Sequence, residues 1–386
     1  MNDRGAQRGE LSLAEHRRLL DQITDAGCLW LLFTGGEIFA RSDFLDIYEY
    51  AKSKGLLITL FTNGTMITPA IADRLAAMPP FAIEITLYGF TEHTYERLTG
   101  QRGSYARCLR GIQLLRERGL PLKLKTVAVT LNTHELGEMK SFAEEQLGLE
   151  FKFDAMMNPR VDCSQSPLAV RLTPEEIVKL DLQDESRMAE WRRFAAEFVR
   201  RPASSLGAGG TSTPELYHCG GGLNSFAVDP QGRMSICVLS QAEGYDLRGG
   251  TFLDGWEAFL KSVRARKITR RTKCVECQLK SLCGMCPANG ELENGDPEAP
   301  VEFLCEVAHL RAKAIGISVP THGECAYCQS ASQELIHGPR VSPAGHSSIR
   351  RVSSLGVVGA DAPAVDKAAS GRGCHDEAGA CGSCRG

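Results

Sequence analysis

The chain has 386 residues, 43% apolar and 24% charged, with a formal net charge of −3, which suits a globular protein of two or three domains. That balance excludes a basic surface built for nucleic acid as the main partner, and no run approaches the ~18–20 apolar residues of a membrane span. The first thirty residues are charged throughout and lack the apolar core of a signal peptide, so a cytoplasmic address is expected.

The N-terminal half reads as alternating helices and strands. A helix over 11–26 precedes a strand over 29–33 that ends in Thr34-Gly35-Gly36-Glu37. A helix over 43–54 leads through Gly55 into a strand over 56–61, followed by Thr62-Asn63-Gly64. Pro69 opens a helix to about residue 78, then come a strand over 81–88, helices over 91–118 and a strand over 123–131. A helix over 134–146 stops at Gly148, and a strand over 150–156 follows. Five short strands separated by helices predict βαβ units and a parallel sheet. In such sheets ligands lie at the carboxyl ends of the strands, where both glycine-bearing turns sit.

Residues 173–200 predict one long helix begun by Thr173-Pro174. A Gly/Ser/Ala/Thr-rich linker over 201–214 separates the first unit, 1–200, from a cysteine-dense unit, 215–328. Residues 329–386 contain no Phe, Trp or Tyr, too little apolar surface to offset ordering entropy, and predict a disordered tail.

Fifteen cysteines occur in the chain, twelve of them after residue 218. Without an export signal a disulfide framework is not expected, and metal or cluster ligation leads. The strongest pattern is Cys274-x2-Cys277-x5-Cys283-x2-Cys286, because thiolates two residues apart aim at one metal centre. Upstream, Cys219 and Cys237 flank a strand–turn–strand over 226–236 with Gly232 in the turn; downstream, Cys305 opens a helix. Iron–sulfur clusters and zinc ribbons both use such pairs. Seven cysteines fall one short of two four-cysteine sites, leaving one position for another ligand or open.

This order of cysteines resembles the SPASM extension of radical S-adenosylmethionine (SAM) enzymes that modify peptides and proteins, such as the anaerobic sulfatase-maturating enzymes. The last interval of the quartet is two residues here and three in the usual pattern. The resemblance implies a partial (β/α)6 TIM-like barrel, here with its first strand missing, then a small cysteine-rich cluster domain. It implies two auxiliary [4Fe–4S] clusters, the outer on Cys274, Cys277, Cys283 and Cys305, the inner on Cys219, Cys237 and Cys286. Cys325, Cys328 or an open position would complete the inner one.

The front half carries the same resemblance. Gly35-Gly36-Glu37 matches the motif that meets the SAM amino group, with Ile38 where the family usually has Pro. Thr62-Asn63-Gly64 matches the next strand end, and Thr86 a residue near the SAM ribose; Tyr88 stands where an Asp is common. The activity implied is reductive cleavage of SAM to a 5′-deoxyadenosyl radical that abstracts hydrogen from a peptide or protein, with flavodoxin or ferredoxin as reductant.

The Cys-x3-Cys-x2-Cys triplet that holds the radical-generating cluster does not occur in these residues. A chain that begins late, or a degenerate scaffold, would explain this; a third [4Fe–4S] cluster is expected only with an N-terminal segment restored. The rival class is a non-catalytic iron–sulfur, zinc or electron-transfer protein. Cys374, Cys381 and Cys384 read as a metal-chelating or unselected tail, and Cys28, Cys108 and Cys163 as small hydrophobes. His134, His218 and His309 read as capping or surface residues, with His218, beside Cys219, the one that could join a site.

Overall fold

The computed structural model of the chain describes residues 9–199, 213–240, 243–317, 322 and 324–330. Five strands, β1 (Trp30–Phe33), β2 (Leu57–Thr62), β3 (Ala82–Thr86), β4 (Leu122–Val127) and β5 (Phe151–Asp154), form a parallel sheet in that order. Helix α1 (Leu13–Asp25) precedes them. The connections carry α2 (Phe44–Ser53), α3 (Pro69–Ala77), α4 (Glu92–Thr99), α5 (Ser104–Arg116) and α6 (Leu136–Ser141). Local chemistry sets the starts: Ser12 and Glu15 form a capping box on α1, Thr68 caps α3 ahead of Pro69, and Thr91 caps α4.

The register separates two faces of the sheet. Ile58, Leu60, Ile83, Ile85 and Leu124 share one face, fully buried with Tyr48, Leu75 and Leu115 of the surrounding helices. The other face carries Trp30, Leu32, Phe61, Glu84, Lys125 and Lys152. It is only partly covered, with Trp30 55% exposed and edge-on to Phe81. A parallel sheet normally buries both faces; this one leaves a face of mixed polar and apolar side chains half-open.

The single helix expected over 173–200 is two, α7 (Pro174–Gln183) and α8 (Glu185–Val199). Asp184 breaks the run in an extended conformation, φ −119° and ψ 106°. Its carboxylate then accepts from the Ser186 and Arg187 N–H groups (3.1 and 3.3 Å), capping the second helix. A short polar side chain thus offered the backbone an alternative to continuing the helix.

In the second half, β6 (Ala227–Val228) and β7 (Arg233–Ser235) form the expected hairpin, with Gly232 at φ +87°. β8 (Tyr245–Asp246), which the sequence did not signal, pairs with β7. This meander packs back on α1: the Leu11 N–H donates to the Pro230 carbonyl at 2.7 Å, and Arg248 pairs with Glu15 at 2.9 Å. The helix Glu302–Ala314 is bound to α7 and α8 by a buried ion triad. Asp181, fully buried, meets Arg187 at 2.7 Å and Arg311 at 2.8 Å, and Arg311 lies 3.8 Å over the Trp191 ring. No described helix is long and apolar enough to cross a membrane. The expected linker lies almost wholly outside the described residues, as does the tail beyond Ser330 with Cys374, Cys381 and Cys384.

Candidate functional site

The carboxyl ends of β1 and β2 are tied by one side chain. Glu37 accepts from the Thr62 hydroxyl (2.8 and 2.9 Å), the Asn63 N–H (2.8 Å) and the Phe39 N–H (3.2 Å). Burial raises its pKa, and these donors only partly oppose that shift. Gly35, at φ +150°, turns the chain where a Cβ would be disfavoured, and it and Gly36 stay exposed. The Asn63 side chain accepts from the Thr65 N–H and hydroxyl (2.9 and 2.7 Å), forming an Asx turn. Gly111 of α5 backs this turn so closely that a Cβ there would lie 2.1 Å from the Gly64 carbonyl oxygen. Thr86 is buried at the end of β3, one residue beyond Ile85, the register partner of Thr62. Six of the seven candidate SAM residues are therefore brought together through Glu37, and the seventh closes the adjacent strand.

Three groups that sequence reasoning missed complete this end of the sheet. Asn132, fully buried, donates to the Tyr88 and Val127 carbonyls (3.1 and 3.0 Å) and accepts from the Val129 N–H (2.9 Å), stitching the exits of β3 and β4. Glu135 accepts from the Phe90 and Thr91 N–H groups (2.7 and 3.1 Å) and from the hydroxyls of Thr91 and Thr94 (both 2.6 Å), at the start of α4. Lys125 projects onto the half-open face, 3.0 Å from Glu84 and over the Phe61 ring; burial lowers its pKa and Glu84 opposes the shift. Tyr88 packs edge-on against Tyr95.

The seven patterned cysteines fall into two groups. Cys305 lies within electrostatic reach of both Cys274 and Cys283. Cys277 lies within electrostatic reach of Cys274. Cys286 lies within the same reach of Cys237 and Cys219. Cys274 eases the ionisation of Cys305, but Cys283 and burial win and push its pKa up to about 12. Cys305, then burial, raises that of Cys274; burial raises those of Cys277 and Cys286. Backbone N–H groups of Leu279 and Ser240 donate to the sulfurs of Cys277 and Cys237 (3.4 and 3.3 Å). Converging thiols that resist ionisation alone and already receive N–H···S bonds fit a cationic iron–sulfur centre, which binds them as thiolates.

The remaining cysteines and histidines sort differently. Cys325 and Cys328 both lie within electrostatic reach of Cys277. His309 is not a surface residue: its ring meets the Cys305 carbonyl at 2.7 Å and the Cys328 sulfur at 3.1 Å. His134 and His218 are exposed. Cys28 is half-buried at the amino end of β1, its thiol on the Trp30 carbonyl, Cys108 is fully buried, and Cys163 is exposed. Cys108 backs the Gly64 turn but is buried, and Cys28 lies at the opposite end of β1, so these three residues do not form a three-thiol set at the carboxyl ends of the strands.

Residues 3–145 match the family described as the Radical SAM superfamily. The chain is 25% identical over 305 residues to the AdoMet-dependent heme synthase of Methanosarcina barkeri, covering 75% of this chain and 85% of that one. It is 28% identical over 322 residues to the PqqA peptide cyclase of Bradyrhizobium diazoefficiens, covering 79% and 82%. Among solved structures, Streptococcus suis SuiB bound to S-adenosylmethionine shares its fold, with a TM-score of 0.57 at 17% identity over 77% of this chain and 70% of that one. Together with the parallel sheet and its strand-end turns, these matches identify a radical SAM domain over residues 3–145.

Proposed function

We propose that this chain is a SPASM-type radical SAM protein that acts on a peptide or protein in the cytoplasm, with flavodoxin or ferredoxin as reductant. Its barrel unit, 1–200, binds SAM, and its second unit, 215–328, holds two auxiliary [4Fe–4S] clusters. The observation that carries the reading is the separation of seven patterned cysteines into two groups in space, Cys274, Cys277, Cys283 and Cys305 against Cys219, Cys237 and Cys286. The clusters would supply electron transfer or a substrate anchor. The chain's own residues bind and orient: the Glu37 carboxylate faces the SAM ammonium, the Gly35-Gly36 backbone admits close approach, and Thr86 lies beside the ribose. The Glu84–Lys125 pair on the half-open face offers a peptide one charge of each sign.

A porphyrin substrate is the second reading, favoured by the similarity to the Methanosarcina barkeri heme synthase. Anaerobic reconstitution with iron and sulfide tests the first. Two clusters require roughly eight irons and eight sulfides per chain, and zinc without sulfide overturns the reading. Titration with Fe-coproporphyrin III separates the substrate classes: no change in the porphyrin absorption band is expected, and micromolar binding would favour the porphyrin.

A further inference from the structure

We propose that His309, His322, Cys325 and Cys328 form a closed mononuclear zinc site, separate from both cysteine groups assigned above. The two imidazole nitrogens and two sulfurs all lie within 4.8 Å of one another, three of the four residues buried and His309 half-buried. Cys328 Sγ stands 3.1 Å from a ring nitrogen of each histidine, and Cys325 Sγ 3.8 Å from His309 Nε2. Tetrahedral zinc, with bonds of about 2.3 Å to sulfur and about 2.0 Å to nitrogen, sets ligand-to-ligand edges at roughly 3.3–3.8 Å. The observed spacings need only small adjustment to admit the ion.

The surroundings are arranged as a ligand shell. His309 Nδ1 meets the Cys305 carbonyl at 2.7 Å, one helical turn back. That contact assigns the proton to Nδ1 and leaves the Nε2 lone pair facing the sulfurs, the second-shell bond that metal-bound histidines characteristically make. The Cys325 N–H donates to the His322 carbonyl at 3.3 Å, and that of Cys328 to the Cys325 carbonyl at 3.2 Å, turning the Cys-x2-Cys loop so that both thiols face inward. The two histidine rings lie 5.9 Å apart and nearly parallel. Two sulfurs with two imidazoles make a tetrahedral set suited to zinc. With four protein donors the site leaves no open position, so its role is structural. It fastens His322, Cys325 and Cys328 to the helix Glu302–Ala314, one turn beyond Cys305.

The test uses the full chain, purified anaerobically and analysed for zinc, iron and sulfide together. About one zinc per chain, retained after iron and sulfide reconstitution, is expected from a closed four-ligand site. His322→Ala and Cys325→Ser should each reduce zinc to near zero while leaving the iron count unchanged. Titration of the metal-free chain with Co2+ provides a readout that needs no variant: tetrahedral, thiolate-coordinated cobalt gives intense visible d–d bands and sulfur charge-transfer absorption, which added zinc abolishes. The proposal is overturned if wild-type protein holds no zinc and shows no tetrahedral cobalt spectrum, or if either variant loses iron in step with zinc. The last result would make Cys325 and Cys328 ligands of the iron centre. Failure to take up iron and sulfide, with zinc retained, would count against the auxiliary clusters and not against this site.

Discussion

In the proposed reading Glu37 would serve two partners whose demands on its proton differ. In the protein alone, burial raises its pKa above the ordinary 4.5. The folded state therefore holds the proton more tightly than the unfolded chain, and this group's contribution to stability declines as pH rises from 4.5 through the raised value. The SAM ammonium needs the ionised form, so affinity should rise over the same interval. Calorimetric titration with SAM across mildly acidic pH should show that opposed pair of trends. Glu37→Gln should flatten both and weaken binding above the interval by roughly 10–100-fold, the range for a hydrogen bond to a charged group. Binding that is unchanged in the variant would remove Glu37 from the SAM site.

At the scale of elements, the strand-end turn after β2 depends on the close approach of α5. Gly111→Ala would drive a methyl group into the Gly64 carbonyl, and backbone cannot rotate away as a side chain can. We expect a loss of about 1–3 kcal/mol in urea denaturation, with SAM affinity falling as Asn63 moves. A variant at wild-type stability would show that α5 shifts freely. The turn itself was legible in the sequence, because Thr-Asn-Gly after an apolar run marks a strand exit; its dependence on Gly111 was not, since that contact joins residues far apart in the chain. The two faces of the sheet were also missed, although a signal existed. Leu122-Lys-Leu-Lys alternates with period two, whereas a parallel strand covered on both sides reads as continuous apolar sequence. Asp184 was read as part of one helix because propensity alone cannot show that its carboxylate will turn back to cap the next. His309 looked like an ordinary helical surface residue, because its partners His322, Cys325 and Cys328 lie beyond the helix end.

For the whole molecule, the two halves meet through polar bonds as well as apolar packing. Asp181 neutralises two arginines in the interior, so Asp181→Ala should destabilise the chain by about 3–5 kcal/mol, the cost of stranding a buried charge. Asp181→Ala combined with Arg311→Met should recover most of that loss, and equal stability of the single and double variants would refute the triad's role. The contact of α1 with the meander bears on how the protein is made. Glu15 waits for Arg248, 233 residues later. At about 5–20 residues per second on the ribosome, the first helix leaves the tunnel roughly 10–50 s before its docking surface exists. Leu11, which lies against Gly232 in the finished protein, is exposed to solvent throughout that interval. The nascent barrel half is therefore a natural client for chaperones, and the native state is reached only after synthesis has passed the meander.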